Sequence, residues 1–280
     1  MTCSRTEVGE TISHEVGERH QPQWFSLASQ QNARRVCDRL APKPEPLHLQ
    51  HLENRVLEVI VSETYTLAEA TMKVIQDRRS IREYTEEPVS EEDLQMILEA
   101  ARQAPSGENA QPWRFVIVKD AEARARLGAI AAGGSGRRFT AEFVTKKMHD
   151  RFAGLQDEAK KKAAFEKLTS GNVSAFLAKA PVSIVVCGKK DVWDLPFDTS
   201  AAIENILLMA TGLGLGACWV IAPCIDVRDE ERLKGFLNVP EGFKVVSIIG
   251  VGHPTRPHRP RPRIALNELV FAEKWGDPYY

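Results

Sequence analysis

The sequence is short of several things, and each shortage closes off a class of function. No apolar run approaches the ~18 residues that a membrane-spanning helix needs. The N-terminus lacks the basic-then-apolar layout of a secretory signal. Glu7, Glu10, Glu15 and Glu18 sit where an organelle transit peptide avoids acids, so the cytoplasm is the expected compartment. There is almost no net charge, −1 over 280 residues, so no global field draws in nucleic acid or an anionic membrane. Cysteine is sparse: Cys3, Cys37, Cys187, Cys218 and Cys224 are odd in number, widely spaced and without a Cys-x-x-Cys. That argues against a disulfide framework and against a zinc or iron–sulfur site. No Gly-x-Ser-x-Gly is present, no histidine is placed to argue for a triad with Ser106, and His149, His253 and His258 have no ligand spacing. No internal repeat occurs.

What is present divides in two near residue 65. Residues 1–50 are poor in hydrophobic residues and hold no helical or strand period, and Pro42, Pro44 and Pro46 alternate in a stiff stretch. We expect residues 1–65 to be a largely disordered extension, with a marginal helix over 51–64. It is either a regulatory or partner-binding tail, or the result of a start assigned too early, with Met72 as the working start. From Leu67 the pattern sharpens. Helices are expected over Leu67–Asp77, from a cap at Ser90 with a Leu94, Ile97, Leu98, Ala101 stripe, over about Asp198–Leu213 and over Asp226–Phe236. Strands are expected at Trp113–Val118, Pro181–Gly188, Ala217–Ile221 and Phe243–Val251. Between Ala121 and Lys179 the chain reads as helical or loop-rich, interrupted at Gly133-Gly134-Ser135-Gly136 and at the Lys160–Lys162 run. Helices and strands mix without regular βαβ alternation, so the expected class is α+β. The whole, 66–280, has the size of one domain with a sizeable core.

Four segments carry polar groups in patterns that could do chemistry. Arg78-Arg79-Ser80-Ile81-Arg82 closes a helix and offers three guanidiniums and a hydroxyl. In extended chain Arg78, Ser80 and Arg82 share a face, which suits a phosphate; they could equally be basic residues complementing a helix dipole. Ala104-Pro105-Ser106-Gly107-Glu108-Asn109-Ala110-Gln111-Pro112-Trp113 joins a helix to a strand through irregular backbone, whose amides could meet a flat polar ligand or simply make a connection. Gly212-Leu213-Gly214-Leu215-Gly216 imitates a dinucleotide fingerprint, but here the glycines close a helix instead of opening one, so a helix C-cap is the better account. Arg256, Arg259, Arg261 and Arg263 are interleaved with prolines. A solvated basic loop, a nucleic-acid contact and a phosphate contact all remain open for them, although interleaved aromatics are missing.

The succession is more specific than its parts. Arg78-Arg79-Ser80-Ile81-Arg82-Glu83-Tyr84, then Ala104-Pro105-Ser106, Asn109 and Gln111-Pro112-Trp113, then Leu213-Gly214-Leu215-Gly216 and Ala222-Pro223, then Ile249-Gly250-Val251-Gly252-His253-Pro254 and Arg261-Pro262-Arg263 together resemble the FMN-dependent nitroreductase family over about 67–270. The resemblance implies an α+β fold with a mixed central sheet surrounded by helices. It also implies an intertwined homodimer with two FMN sites at the subunit interface, a small-molecule substrate, and neither nucleic acid nor membrane as partner. It assigns Arg78 and Ser80 to the phosphate and ribityl end and Arg82 to the flavin pyrimidine edge, and counts Arg79 and Ile81 among the cofactor-binding residues. Pro105, Ser106, Gly107 and Asn109 would come from the other subunit, Val220, Ile221 and Ala222 would lie near flavin N5, and Arg261 and Arg263 would close on the phosphate. The implied chemistry is hydride transfer from NADH or NADPH through FMN to an electron-poor acceptor such as a nitroaromatic, quinone or activated alkene, with no side chain needed as catalyst. Within the family the alternatives are a reductive dehalogenase of the iodotyrosine deiodinase type, or a flavin-binding protein without turnover. Against the dehalogenase, Ile221 and Ala222 stand where that branch has Thr, and no Tyr for substrate lies between Tyr84 and Tyr279. The region from Gly133 to Gly171 is read as a mobile lid setting substrate choice, or else as a structural helical excursion.

Overall fold

A computed structural model describes residues 65–145, 154 and 156–280. The expected disordered extension and the marginal helix over 51–64 lie outside the described residues, as does His149. Helix α1 (Leu67–Asp77) opens on a reciprocal cap. The Glu69 amide donates to Thr66 Oγ1 at 3.2 Å, and the Thr66 amide donates to Glu69 Oε2 at 2.8 Å. Ser90 caps α2 (Glu91–Arg102) by accepting the Asp93 amide at 3.0 Å, and Leu94, Ile97 and Ala101 are buried as its period requires.

Four strands, β1 (Trp113–Val118), β2 (Val182–Lys189), β3 (Gly216–Val220) and β4 (Phe243–Gly252), form one sheet in the order β1-β2-β4-β3. All three ladders are antiparallel. The expected mixed character is therefore confined to one parallel bridge, Ser80 to Ala217, where the chain leaving α1 runs alongside the β3 edge. β2 is covered on both faces, which is why it reads as an unbroken apolar run. Ile184 and Val186 pack with α2 and with α6 (Leu195–Gly212) on one side. Val185 and Cys187 pack on the other with Leu127 and Ala131 of α3 (Ala121–Thr145) and Leu233 of α8 (Val227–Leu237). The architecture is α+β, with helices on both faces of the sheet. No helix among the described residues is long and apolar enough to cross a membrane.

Two sequence expectations are corrected. α3 does not break at Gly133–Gly136 but runs through it. The glycines serve contact: a Cβ on Gly134 would lie 2.8 Å from Pro223 Cα, and one on Gly136 would lie 2.7 Å from the Thr169 carbonyl oxygen. Close packing has outweighed their poor helix propensity. The Lys160–Lys162 run is likewise no interruption, since it lies in α4 (Glu158–Thr169), capped by Asp157. A short α5 (Asn172–Ala175) follows. α6 begins three residues earlier than expected, with Pro196 in its first turn, where a missing N–H costs nothing.

Gly214 at φ 75 follows the end of α6. Leu215 N donates to Ala210 O at 2.8 Å and Gly214 N to Thr211 O at 3.0 Å, the paired bonds of a Schellman cap. The glycine cluster is thus a helix stop leading into β3, and a dinucleotide fingerprint is excluded.

Candidate functional site

The site is built where α1 ends. Arg78 leaves the helix with ψ 129, and the next residues run extended along β3. Ile81 donates its amide to the Ala217 carbonyl at 3.0 Å and buries its side chain. The approach is so close that a Cβ on Gly216 would fall 2.6 Å from Ile81 Cγ1, so only glycine fits. Tyr84 fixes the far end of the segment, its hydroxyl within reach of the Ile81 (2.7 Å) and Gly250 (3.0 Å) carbonyls. Burial pushes the Tyr84 hydroxyl far above its ordinary value, so it stays a neutral donor.

The chain after β4 supplies the opposite wall. Thr85 N bonds the His253 carbonyl at 2.9 Å, Thr255 N bonds the Glu83 carbonyl at 3.3 Å, and Arg256 pairs with Glu83 at 3.1 Å. The arm then bends back. Arg78, Arg79, Ser80 and Arg82 from one wall and His258, Arg259, Arg261 and Arg263 from the other line a single cavity of about 570 Å³. Arg79 ties the walls together: its Nε donates to the Arg259 carbonyl at 3.2 Å, and its terminal nitrogen reaches the Gln76 (2.5 Å) and Arg78 (2.6 Å) carbonyls.

Six guanidiniums therefore face one space. Arg78 Nε lies 3.5 Å from Glu204 Oε1; among the described residues, none of the other five has a carboxylate within 4.0 Å. Six fork-shaped cations with a single carboxylate in reach among the described residues, and the Ser80 hydroxyl beside them, are the donor set that suits a phosphoryl group. Arg82 also sits 5.9 Å from the centroid of the Phe176 ring, which steadies its guanidinium. The Cys218 thiol lies behind this wall. Burial raises its pKa, and Arg82, Ser80 and Arg78 partly offset the rise.

The remaining expected residues lie elsewhere. Pro105, Ser106, Gly107 and Asn109 do not line the arginine cavity. Ser106 Oγ instead accepts the Gln111 amide at 3.1 Å, and Gly107 N donates to Asp198 Oδ1 at 3.0 Å. Val220, Ile221 and Ala222 form the junction of β3 with the short α7 (Ala222–Ile225). Ala222 lines a second cavity, of about 1040 Å³, against Gly133, Gly134 and Arg137 of α3. Arg137 pairs there with the buried Asp229. Sequence reading missed Glu204, Phe176 and Asp198, each brought in by tertiary contact with no local pattern to mark it. It named Tyr84 only as part of a motif.

The model of the nitroreductase family matches residues 75–253. The chain belongs to the nitroreductase family. It is 34% identical over 195 residues to a provisionally named NADH dehydrogenase/NAD(P)H nitroreductase of Archaeoglobus fulgidus, covering 66% of this chain and 86% of that one. It is 29% identical over 208 residues to an iodotyrosine deiodinase of Thermotoga neapolitana, covering 71% and 97%. Among solved structures it resembles oxidized iodotyrosine deiodinase bound to FMN and 3-iodo-L-tyrosine, with a TM-score of 0.55, 25% identity and coverage of 70% of this chain and 95% of that one.

Proposed function

We propose that this nitroreductase-family protein, an NAD(P)H-dependent flavin oxidoreductase, passes hydride from NADH or NADPH by way of FMN to an electron-poor acceptor such as a nitroaromatic, a quinone or an activated alkene. The observation that carries the reading is the cavity in which the Arg78–Arg82 and Arg259–Arg263 segments meet. When bound, FMN supplies the two-electron chemistry. The chain's own residues hold and tune it. Arg78, Ser80, Arg261 and Arg263 take the phosphate, and Arg79 keeps the two walls in register through carbonyl bonds. Arg82 provides positive charge for the pyrimidine edge, and Val220, Ile221 and Ala222 supply backbone to the reacting edge. Ala222 opens onto the second cavity, which is the space for an acceptor.

The loop of Pro105, Ser106, Gly107 and Asn109 serves the flavin of a second subunit, consistent with its position away from the arginine cavity. A homodimer is also supported by the apolar surface. Trp193 and Phe197 are 94% and 75% exposed, and Ile264, Leu266, Leu269 and Trp275 in the C-terminal arm are also exposed. β1 ends the sheet with one edge unpaired among the described strands. Catalysis resides in 66–280, with 1–65 as an extension outside it.

Purified protein is expected to be yellow and to oxidise NAD(P)H when a nitroaromatic is added. Colourless protein that gains no flavin on incubation with FMN overturns the reading. Reductive dehalogenation is the second reading, favoured by the similarity to two deiodinases and opposed by Ile221 and Ala222. Release of iodide from 3-iodotyrosine by the reduced protein would support it.

A further inference from the structure

Asp198 lies in the first turns of α6 and is only 5% exposed, among a helix face otherwise buried through Ala202, Ile203 and Ile206. Its Oδ1 accepts the Gly107 amide at 3.0 Å, while its Oδ2 is buried without a hydrogen-bond partner among the described residues. A half-satisfied buried carboxylate is costly, and an apolar side chain of similar volume would pack there at less cost. Packing therefore does not explain it.

The loop it touches does. A Cβ on Gly107 would fall 2.7 Å from Asp194 Oδ2, so the loop backbone presses directly on the start of α6. Just beyond, Glu108, Asn109 and Gln111 have φ of 51, 55 and 45, in the left-handed region that side chains disfavour. Such backbone persists only where its surroundings over-determine it. Inside the loop, Gln111 N donates to Ser106 Oγ at 3.1 Å and Gln111 Nε2 to Asn109 Oδ1 at 3.1 Å. These bonds shape the loop but do not attach it to anything. The bond from Gly107 N to Asp198 attaches it to a rigid helix.

We propose that Asp198 is the positioning residue of the flavin loop: its carboxylate holds the Gly107 amide and thereby aims Pro105, Ser106 and Gly107 at the cofactor of the second subunit. The proposal rests on the FMN reading above. It requires an acceptor oxygen at this position, and it does not require the negative charge.

The test uses the full-length protein and three variants, Asp198→Ala, Asp198→Asn and Asp198→Leu. FMN affinity is measured by quenching of flavin fluorescence, alongside the melting temperature of the flavin-free protein. Asp198→Ala and Asp198→Leu should weaken FMN binding on the order of tenfold, since each removes the acceptor that anchors the loop. Asp198→Asn keeps an acceptor for Gly107, so it should stay within about twofold of the parent and melt no lower, because the half-satisfied charge is gone. A purely structural role would move the melting temperature and leave FMN affinity alone in all three. Should Asp198→Ala fail to fold, the contrast between Asp198→Asn and Asp198→Leu still decides. FMN affinity unchanged in Asp198→Leu, or lost in Asp198→Asn, overturns the proposal. A parent protein without FMN affinity removes the cofactor reading itself. A parent that binds FMN and loses it in Arg78→Ala, but not in Asp198→Ala, overturns this inference alone.

Discussion

At the residue scale, the arginines divide by what their guanidiniums face. Arg79 spends its donors on carbonyls of both walls; Arg263 donates from Nη1 to the adjacent Arg261 and Pro262 carbonyls, and Arg78 turns Nε toward Glu204, while both line the cavity. Arg78→Ala and Arg263→Ala should each weaken FMN binding by roughly 1.5–3 kcal/mol, the range for a charge-assisted bond. Riboflavin, which lacks the phosphate, is the control: its affinity should not change, and equal losses for both ligands would show a general collapse of the site. Arg82→Ala should chiefly shift the flavin reduction potential, measured by equilibration with a reference dye. The thiols give a separate prediction. Burial, with a smaller contribution from Glu230, pushes Cys187 up to about 11, and burial raises Cys218 and Cys224 as well. With a pKa of about 11, roughly a thousandth of Cys187 is thiolate at pH 8, and the thiolate is the reactive form. Native protein treated with iodoacetamide should therefore show these three unmodified by mass spectrometry, and modified only after unfolding.

At the element scale, α3 is the instructive case. Its glycines look like breaks when judged by propensity, and replacing one by alanine would favour an isolated helix by about 1 kcal/mol. In the folded protein Gly134→Ala should do the reverse. The new Cβ would meet backbone at Pro223, and overpacking of that kind costs about 1–3 kcal/mol. A raised melting temperature in Gly134→Ala would contradict the packing account. α1 offers the opposite case, in which local chemistry suffices. Thr66→Ala removes the side-chain half of the capping box and should cost about 1 kcal/mol, seen as a lower denaturation midpoint. A chain beginning at Met72 loses the cap and the first five residues of the helix that delivers Arg78.

At the scale of the whole molecule, the proposed homodimer would cover the exposed aromatic side chains and the β1 edge left unpaired among the described strands. Light scattering should give twice the 31.2 kDa chain mass, and the melting temperature should rise with protein concentration, as mass action requires of a dimer. Replacing both Trp193 and Phe197 by serine should weaken that association. Removing residues 1–65 should leave flavin binding and NAD(P)H oxidation intact.

Local patterns were enough to find most elements. Period and capping marked α1, α2 and α8, unbroken or alternating apolar runs marked the four strands, and the order of Gly214 before β3 excluded a dinucleotide fingerprint. These features depend on neighbours a few residues away, which the sequence displays directly. The sequence also singled out both arginine segments, but each segment alone was equally well explained as a helix end or a solvated loop. The family resemblance alone assigned both to one phosphate; the tertiary structure puts them on two walls of one cavity, because β4 and the bonds from Thr85 and Thr255 carry the C-terminal arm back to α1. Only the tertiary structure places Asp198 under Gly107 and the glycines of α3 against Pro223 and Thr169. Those contacts join residues far apart in the chain, and distance in sequence carries no mark of proximity in space until the core has closed.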